Sequence, residues 1–219
     1  MPANHPKGFY PTPYSPLPTP HSPAITENMT KLLVVATGNT GKLRELQAYL
    51  ANSGWELTLK PAELEVEETG ETFAANACLK ASQIAQGTGQ WAIADDSGLA
   101  VDALNGAPGI YSARYGSSDS DRIARLLREL GNTTNRQAQF VCAVAIARPD
   151  GTIALESEGI CRGEIIHAPR GEGGFGYDPI FYVPEKQLTF AQMSRELKGS
   201  ISHRGQALTV ISDQLSVIS

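Results

Sequence analysis

QFVCAVAIAR-PDG-TIALESEGICRGEI, residues 139–165, is two long runs of strand-forming residues joined by Pro149-Asp150-Gly151. Val, Ile and Phe at this density favour extended backbone. A Pro-Asp-Gly step between two such runs is a hairpin signal, so Gln139–Arg148 is expected to pair antiparallel with Thr152–Ile165. Upstream, strands and helices alternate. Leu32–Ala36 is a short apolar run closed by a glycine turn and reads as a buried strand. Lys42–Leu50 carries apolar residues at 43, 46 and 50, the helical period. Glu71–Gln86 reads as a second helix with Phe73, Ala77, Ala81 and Ile84 inward, beside a polar stripe of Thr72, Asn76, Lys80 and Gln83. Strands are expected near 91–94 and 99–104, and a helix over Asp119–Leu130, capped by Ser118 and stopped by Gly131. A last helix should run from about Ser202 to Leu215. This order, with one long hairpin, points to an α/β or α+β chain on a mixed sheet.

The chain has 219 residues, enough for one domain or a compact two-lobed one. A net charge of -5 argues against a nucleic-acid partner, which needs a basic face. No run approaches the roughly 18 apolar residues of a membrane span. Cys78, Cys142 and Cys161 have no CxxC spacing and lie in apolar surroundings, which fits reduced, buried thiols in a cytoplasmic protein. Residues 1–28 hold eight of the 14 prolines. Such a segment is expected to be disordered or polyproline-like. It lacks the apolar core of a secretory signal and the arginines of a transit peptide. The folded domain is expected over 29–219, with Met29 as a natural start.

Five segments carry chemistry. Ala94-Asp95-Asp96-Ser97-Gly98 puts two carboxylates at the end of the apolar run 91–94. Unpaired buried carboxylates are costly, so Asp95 and Asp96 are expected where the strand meets solvent, in a tight turn, or where a metal neutralises them. Thr37-Gly38-Asn39-Thr40-Gly41-Lys42 lies between a strand and a helix, the setting in which helix N–H groups bind phosphate. It is not a Walker A loop, because Ala36 and Leu43 stand where that pattern needs Gly and Ser or Thr. Glu67 and Glu68 precede the second helix, and with Asp95 and Asp96 they pool four hard-oxygen ligands of the kind Mg²⁺ takes beside substrate phosphates. The loop 171–179 combines glycines with Phe175, Gly176, Tyr177 and Asp178, where a ring can stack on a base. Lys198, His203 and Arg204 form a cationic group near the last helix, suited to an anion or to carbonyl oxygens.

Together these pieces resemble the inosine/xanthosine triphosphate pyrophosphatase family. The matching segments are ATGNTGK (36–42), EETG (67–70), ADDSGL (94–99), GAPGIYSARY (106–115), GGFGYDPIF (173–181), and Lys198 with SHRGQA (202–207). They occur in family order and span residues 31 to about 215. One departure is Ala75, where the family usually has Glu before Asn76. The resemblance implies a two-lobed α/β fold with a long curved mixed sheet flanked by helices, an active-site cleft between the lobes, and a homodimer. It implies hydrolysis of ITP, dITP and XTP to the monophosphate and pyrophosphate, cleansing the nucleotide pool. Asp96 would be the general base and a Mg²⁺ ligand, with Glu68 or Glu67 as a further ligand. Thr37 to Lys42 would grip the triphosphate and Ser97 would contact substrate. Phe175 to Asp178, Lys198, His203 and Arg204 would surround the base and sugar. The competing readings are a silent nucleotide sensor, a pyrophosphatase for modified pyrimidine nucleotides, and a phosphatase releasing single phosphates.

Overall fold

The computed structural model describes Met1 and residues 31–217; apart from Met1, the Pro-rich segment 1–28 and Met29 lie outside the described residues. A seven-stranded mixed sheet has strand order β2-β1-β3-β4-β5-β6-β7. Its strands are β1 (Lys31–Val35), β2 (Trp55–Leu59), β3 (Trp91–Val101), β4 (Gln137–Ala147), β5 (Ile153–Ile165), β6 (Phe181–Val183) and β7 (Leu188–Thr189). β1 lies parallel to β2 and β3, and every pairing from β3 onward is antiparallel. The helices are α1 (Thr40–Leu50), α2 (Phe73–Thr88), α3 (Asp119–Leu130), α4 (Arg195–Ile201) and α5 (His203–Leu215).

The hairpin forms as expected, and β4 and β5 are its long arms. Because successive strand side chains point to opposite faces, the sheet sorts its residues by parity. Leu33, Val35, Ile93, Cys142, Val144 and Ile146 pack with Leu46 and Leu50 of α1 and Leu208, Ile211 and Leu215 of α5. Val34, Ala92, Ala94, Ala143, Ala145 and Ala147 pack on Ala77, Ala81, Ile84 and Ala85 of α2. Small side chains on both sides of that second interface allow α2 to lie close to the sheet. Farther along the same strands, Leu99, Val101 and Phe140 join Phe181 and Phe190 and Ile123, Leu126 and Leu130 of α3 in a separate core. The long strands therefore run through two lobes, and residues 95–97 fall at the junction.

The structure corrects several boundaries. Residues 95–98 are not a turn or a strand end: β3 continues through them, paired residue by residue with β4 from Ala92↔Ala147 to Val101↔Ala138. The strand expected to reach 104 stops at Val101, and Asp102–Leu104 is a 3-10 turn. α1 starts at Thr40, capped by Asn39, and α2 starts at Phe73, capped by Thr72. β2, β6, β7 and α4 were not expected. The cysteines are free, with Cys142 and Cys161 buried and Cys78 only half-buried.

Candidate active site

The continuity of β3 decides the site. Asp95 is an odd position and faces α1 and α5; Asp96 is even and faces α2. Both are buried, 2% and 5% exposed, so each needs its own compensation.

On the α1/α5 face, Asp95 Oδ2 receives Lys42 Nζ at 3.0 Å, Arg204 Nη2 at 3.1 Å and Nε at 3.3 Å, and the Ser97 hydroxyl at 3.3 Å. Burial opposes ionisation, but Lys42 and Arg204 outweigh it and hold the carboxyl well below the usual range. Arg204 continues to Glu45 Oε2 at 2.6 Å through Nη1 and to Ser97 Oγ at 2.6 Å through Nη2. Glu45 also accepts from Lys198 Nζ at 3.2 Å, and Lys198 reaches Asp178 Oδ2 at 2.7 Å. Asp178 in turn accepts the Phe175 backbone N–H at 2.9 Å. Burial raises the Asp178 pKa despite Lys198.

On the α2 face, Asn76 Nδ2 donates to Asp96 Oδ2 at 3.1 Å, and the Asn76 carbonyl accepts the Gly70 N–H at 2.8 Å. Lys80 Nζ lies 2.7 Å from Glu68 Oε1 and 3.5 Å from Asp96 Oδ1. Arg114 Nη1 holds the other Glu68 oxygen at 3.0 Å. Burial, with the Glu68 charge, raises the Asp96 pKa against Lys80 and Lys42. Glu67 is exposed and Glu68 half-buried, so Glu68 is the glutamate that turns toward Asp96. Among the described residues no group of three or more His, Cys, Asp or Glu is assembled for a metal. The donors here, two hard carboxylates on either side of Lys80, suit an ion that completes its shell from substrate phosphates and water.

The loop 37–42 is built by its own side chains. Thr37 Oγ1 accepts the Asn39 N–H at 3.1 Å, and Asn39 Oδ1 accepts those of Gly41 at 2.8 Å and Lys42 at 3.1 Å. Gly38, Asn39, Thr40 and Gly41 border a cavity of about 570 Å³ that also meets Phe175 and Lys198, a volume typical of ligand sites. A second hollow of about 80 Å³ lies among Lys42, Ser97, Asp178, His203 and Arg204. Phe175 borders both; Lys198 Nζ sits 4.8 Å and Arg204 Cζ 5.7 Å from its ring centre. A Cβ at Gly41 would meet that ring at 2.7 Å, so glycine there admits Phe175.

His203 is buried with its ring stacked 4.6 Å from Phe140, and its Nδ1 has no partner among the described residues. Burial, with Arg204 and Lys198 nearby, pushes its pKa well below the usual value, so the ring is neutral. Tyr177 is buried and donates its hydroxyl to Ser112 O at 3.0 Å, bracing the loop. Gly176 N–H bonds Asp119 Oδ2 at 2.7 Å.

The structure thus brings together Lys42, Ser97, Phe175, Asp178, Lys198, His203 and Arg204 on one face of β3, and Asp96 and Glu68 on the other. Glu45, Arg114 and Asp119 were missed. Glu45 stands one helical turn after Lys42, and only that i,i+3 spacing signalled that it shares its neighbour's face.

The Ham1 family profile matches residues 33–214. A dITP/XTP pyrophosphatase of Nostoc sp. is 73% identical over 190 residues, 87% of this chain and 97% of that protein. One of Synechocystis sp. is 63% identical over 182 residues, 83% of this chain and 94% of that protein. Among solved structures, the Ham1 protein of Staphylococcus aureus has a TM-score of 0.78 at 44% identity, covering 86% of this chain and 100% of that one. A HAM1 protein from Coxiella burnetii has a TM-score of 0.77 at 41% identity, covering 85% and 99%.

Proposed function

The chain belongs to the Ham1 family, and from that premise we propose that it hydrolyses dITP, XTP and ITP to the monophosphate and pyrophosphate. The observation that carries the proposal is the division of Asp95 and Asp96 between the two faces of β3. One face gathers cations suited to phosphates and to a keto-bearing base. The other holds a carboxylate of raised pKa beside a second carboxylate and a lysine.

In this reading Asp96 accepts the proton of the attacking water, held by Asn76. Such chemistry rests on positioning and charge stabilisation more than on covalent participation. Thr37 to Lys42 bind the triphosphate, with Lys42 as its cation. Lys80 keeps the two carboxylates apart in charge. Glu68 and Asp96 would hold Mg²⁺, with exposed Glu67 at most an outer participant; the ion supplies neutralisation of the phosphate oxygens. Ser97, Phe175, Gly176, Tyr177, Asp178, Lys198, His203 and Arg204 form the nucleoside side. A 6-keto oxygen satisfies donors there, whereas a 6-amino group leaves them unpaired, the kind of mismatch that gives strong rejection.

The test is incubation with ITP, XTP, GTP and ATP plus Mg²⁺, with products identified. Pyrophosphate from ITP and XTP in preference to ATP is expected. Orthophosphate would make it a phosphatase, binding without turnover a sensor, preference for modified pyrimidine nucleotides a different pyrophosphatase, and equal hydrolysis of all four would sink the pool-cleansing role. The catalytic domain is proposed to be 29–219, since every residue invoked lies in 31–217; an inactive chain beginning at Met29 would refute this. A cytoplasmic homodimer is part of the proposal, to be checked by sedimentation and fractionation. No helix among the described residues is long and apolar enough to cross a membrane.

A further inference from the structure

Six charged side chains form one unbroken, alternating line: Lys42, Asp95, Arg204, Glu45, Lys198 and Asp178. It starts in the loop that would grip phosphates and ends at the loop carrying Phe175. Asp95 is the joint between the two ends, and its bonding is lopsided. Oδ2 takes Lys42, two nitrogens of Arg204 and the Ser97 hydroxyl within 3.3 Å. Oδ1, equally buried, has no partner among the described residues. A carboxylate beside an arginine gains most from a fork, one oxygen for each of two N–H groups. Here Lys42 competes for the oxygen that Arg204 uses, and the fork is not made.

We propose that Asp95 is a positioning residue that couples the phosphate end of the site to the base end, an inference that rests on the pyrophosphatase reading above. When phosphate oxygens draw Lys42 away, Oδ2 loses its competitor. A small rotation of the carboxyl then gives Arg204 both oxygens. The guanidinium plane becomes fixed, with Nη1 still tied to Glu45, and presents its remaining N–H in one direction. Base discrimination is strongest only after the triphosphate is seated, so a nucleoside or monophosphate alone is read poorly. Asp95 touches neither the reacting phosphorus nor the water in this account; it acts through Lys42 and Arg204.

Two measurements test this. In the first, inosine binding to the wild-type full chain is titrated with and without inorganic tripolyphosphate, with adenosine as control. Tripolyphosphate is expected to tighten inosine about 5–10-fold, within the usual range of coupling between sites, and to leave adenosine unchanged. Equal binding with and without tripolyphosphate overturns the proposal, and no variant is needed to learn it. In the second, Asp95→Asn is assayed on dITP and dATP, which share the sugar. The dITP:dATP ratio of kcat/KM should fall about 10–100-fold, the scale of a hydrogen bond to a charged group. The loss should fall on discrimination and KM more than on kcat for dITP, and Asp95→Glu should restore part of it. An unchanged ratio in folded Asp95→Asn also overturns the proposal. A wild-type chain that releases no pyrophosphate from dITP sinks the enzymatic reading instead, and the binding experiment still reports on the coupling.

Discussion

Asp95 and Asp96 are adjacent, both buried, and pushed in opposite directions by their surroundings. Asp95 is surrounded by cations and stays ionised. Asp96, with burial and Glu68 against it, holds its charge at a cost. For a carboxyl whose folded pKa is raised, the associated stability is present below the unfolded value near 4 and is lost as pH rises through the folded value. At neutral pH ionised Asp96 therefore weakens the fold while equipping it as a base. Asp96→Asn is expected to lower kcat by roughly 10²–10⁴-fold, the scale of general-base catalysis, with a denaturant midpoint at pH 7 equal to or above that of the wild type. Near-normal turnover, or a clearly less stable variant, would contradict the assignment. Lys42, Asp96 and Arg204 were legible in the sequence because their residue types are awkward at their positions, two cations at helix starts and a carboxylate after an apolar run. Lys198, in the last turn of α4, was picked out with its cationic neighbours and the family resemblance. Glu45 was not, since a glutamate on a helix reads as a solvated residue until α4 and α5 dock and bring two cations to it.

At the scale of elements, the site depends on how closely α5 approaches the hairpin. Gly159 of β5 lies under the first turn of α5, where a Cβ would collide with His203 O and come within 2.9 Å of Ala207 N. Both are backbone atoms, so the clash is relieved only by separating α5 from β5. Gly159→Ala should cost about 1–3 kcal/mol, as overpacking does, and should weaken dITP against dATP because Arg204 moves with the helix. An alanine variant with wild-type midpoint and selectivity would mean that α5 has slack there. The hairpin itself was readable from its apolar runs and Pro-Asp-Gly turn. β3 was read too short because Asp95-Asp96-Ser97-Gly98 looks like a turn in isolation. It stays extended because β4 pairs with it throughout and the helices on each face bring the cations those acids need. β2 escaped because, of its five residues, only Trp55 is fully buried, leaving little alternation to detect.

For the molecule as a whole, the mixed sheet was legible in the order of its elements and its long hairpin, and the two lobes through family resemblance, while the balance of its internal charges emerges only from the folded chain. That balance sets a pH response. His203 is neutral and buried, with its pKa well below the usual value, so its unfolded form binds a proton that its folded form refuses. The stability it contributes is present above about pH 6.5, the unfolded value, and is lost as pH falls toward the folded one. Asp95, Glu45 and Glu68, all lowered, add losses of the same sign only below about pH 4. Asp96 and Asp178, both raised, act in the opposite sense. Between pH 6.5 and 5.5 His203 is the group whose unfolded form takes up a proton that its folded form refuses, with the two raised carboxyls opposing it. Denaturant unfolding there should show stability falling toward acid with a limiting slope of about 1.4 kcal/mol per pH unit, the value for one proton. His203→Gln should flatten that slope, because a neutral amide has nothing to titrate. A slope that persists unchanged in the variant would mean that the proton taken up on unfolding belongs to another group.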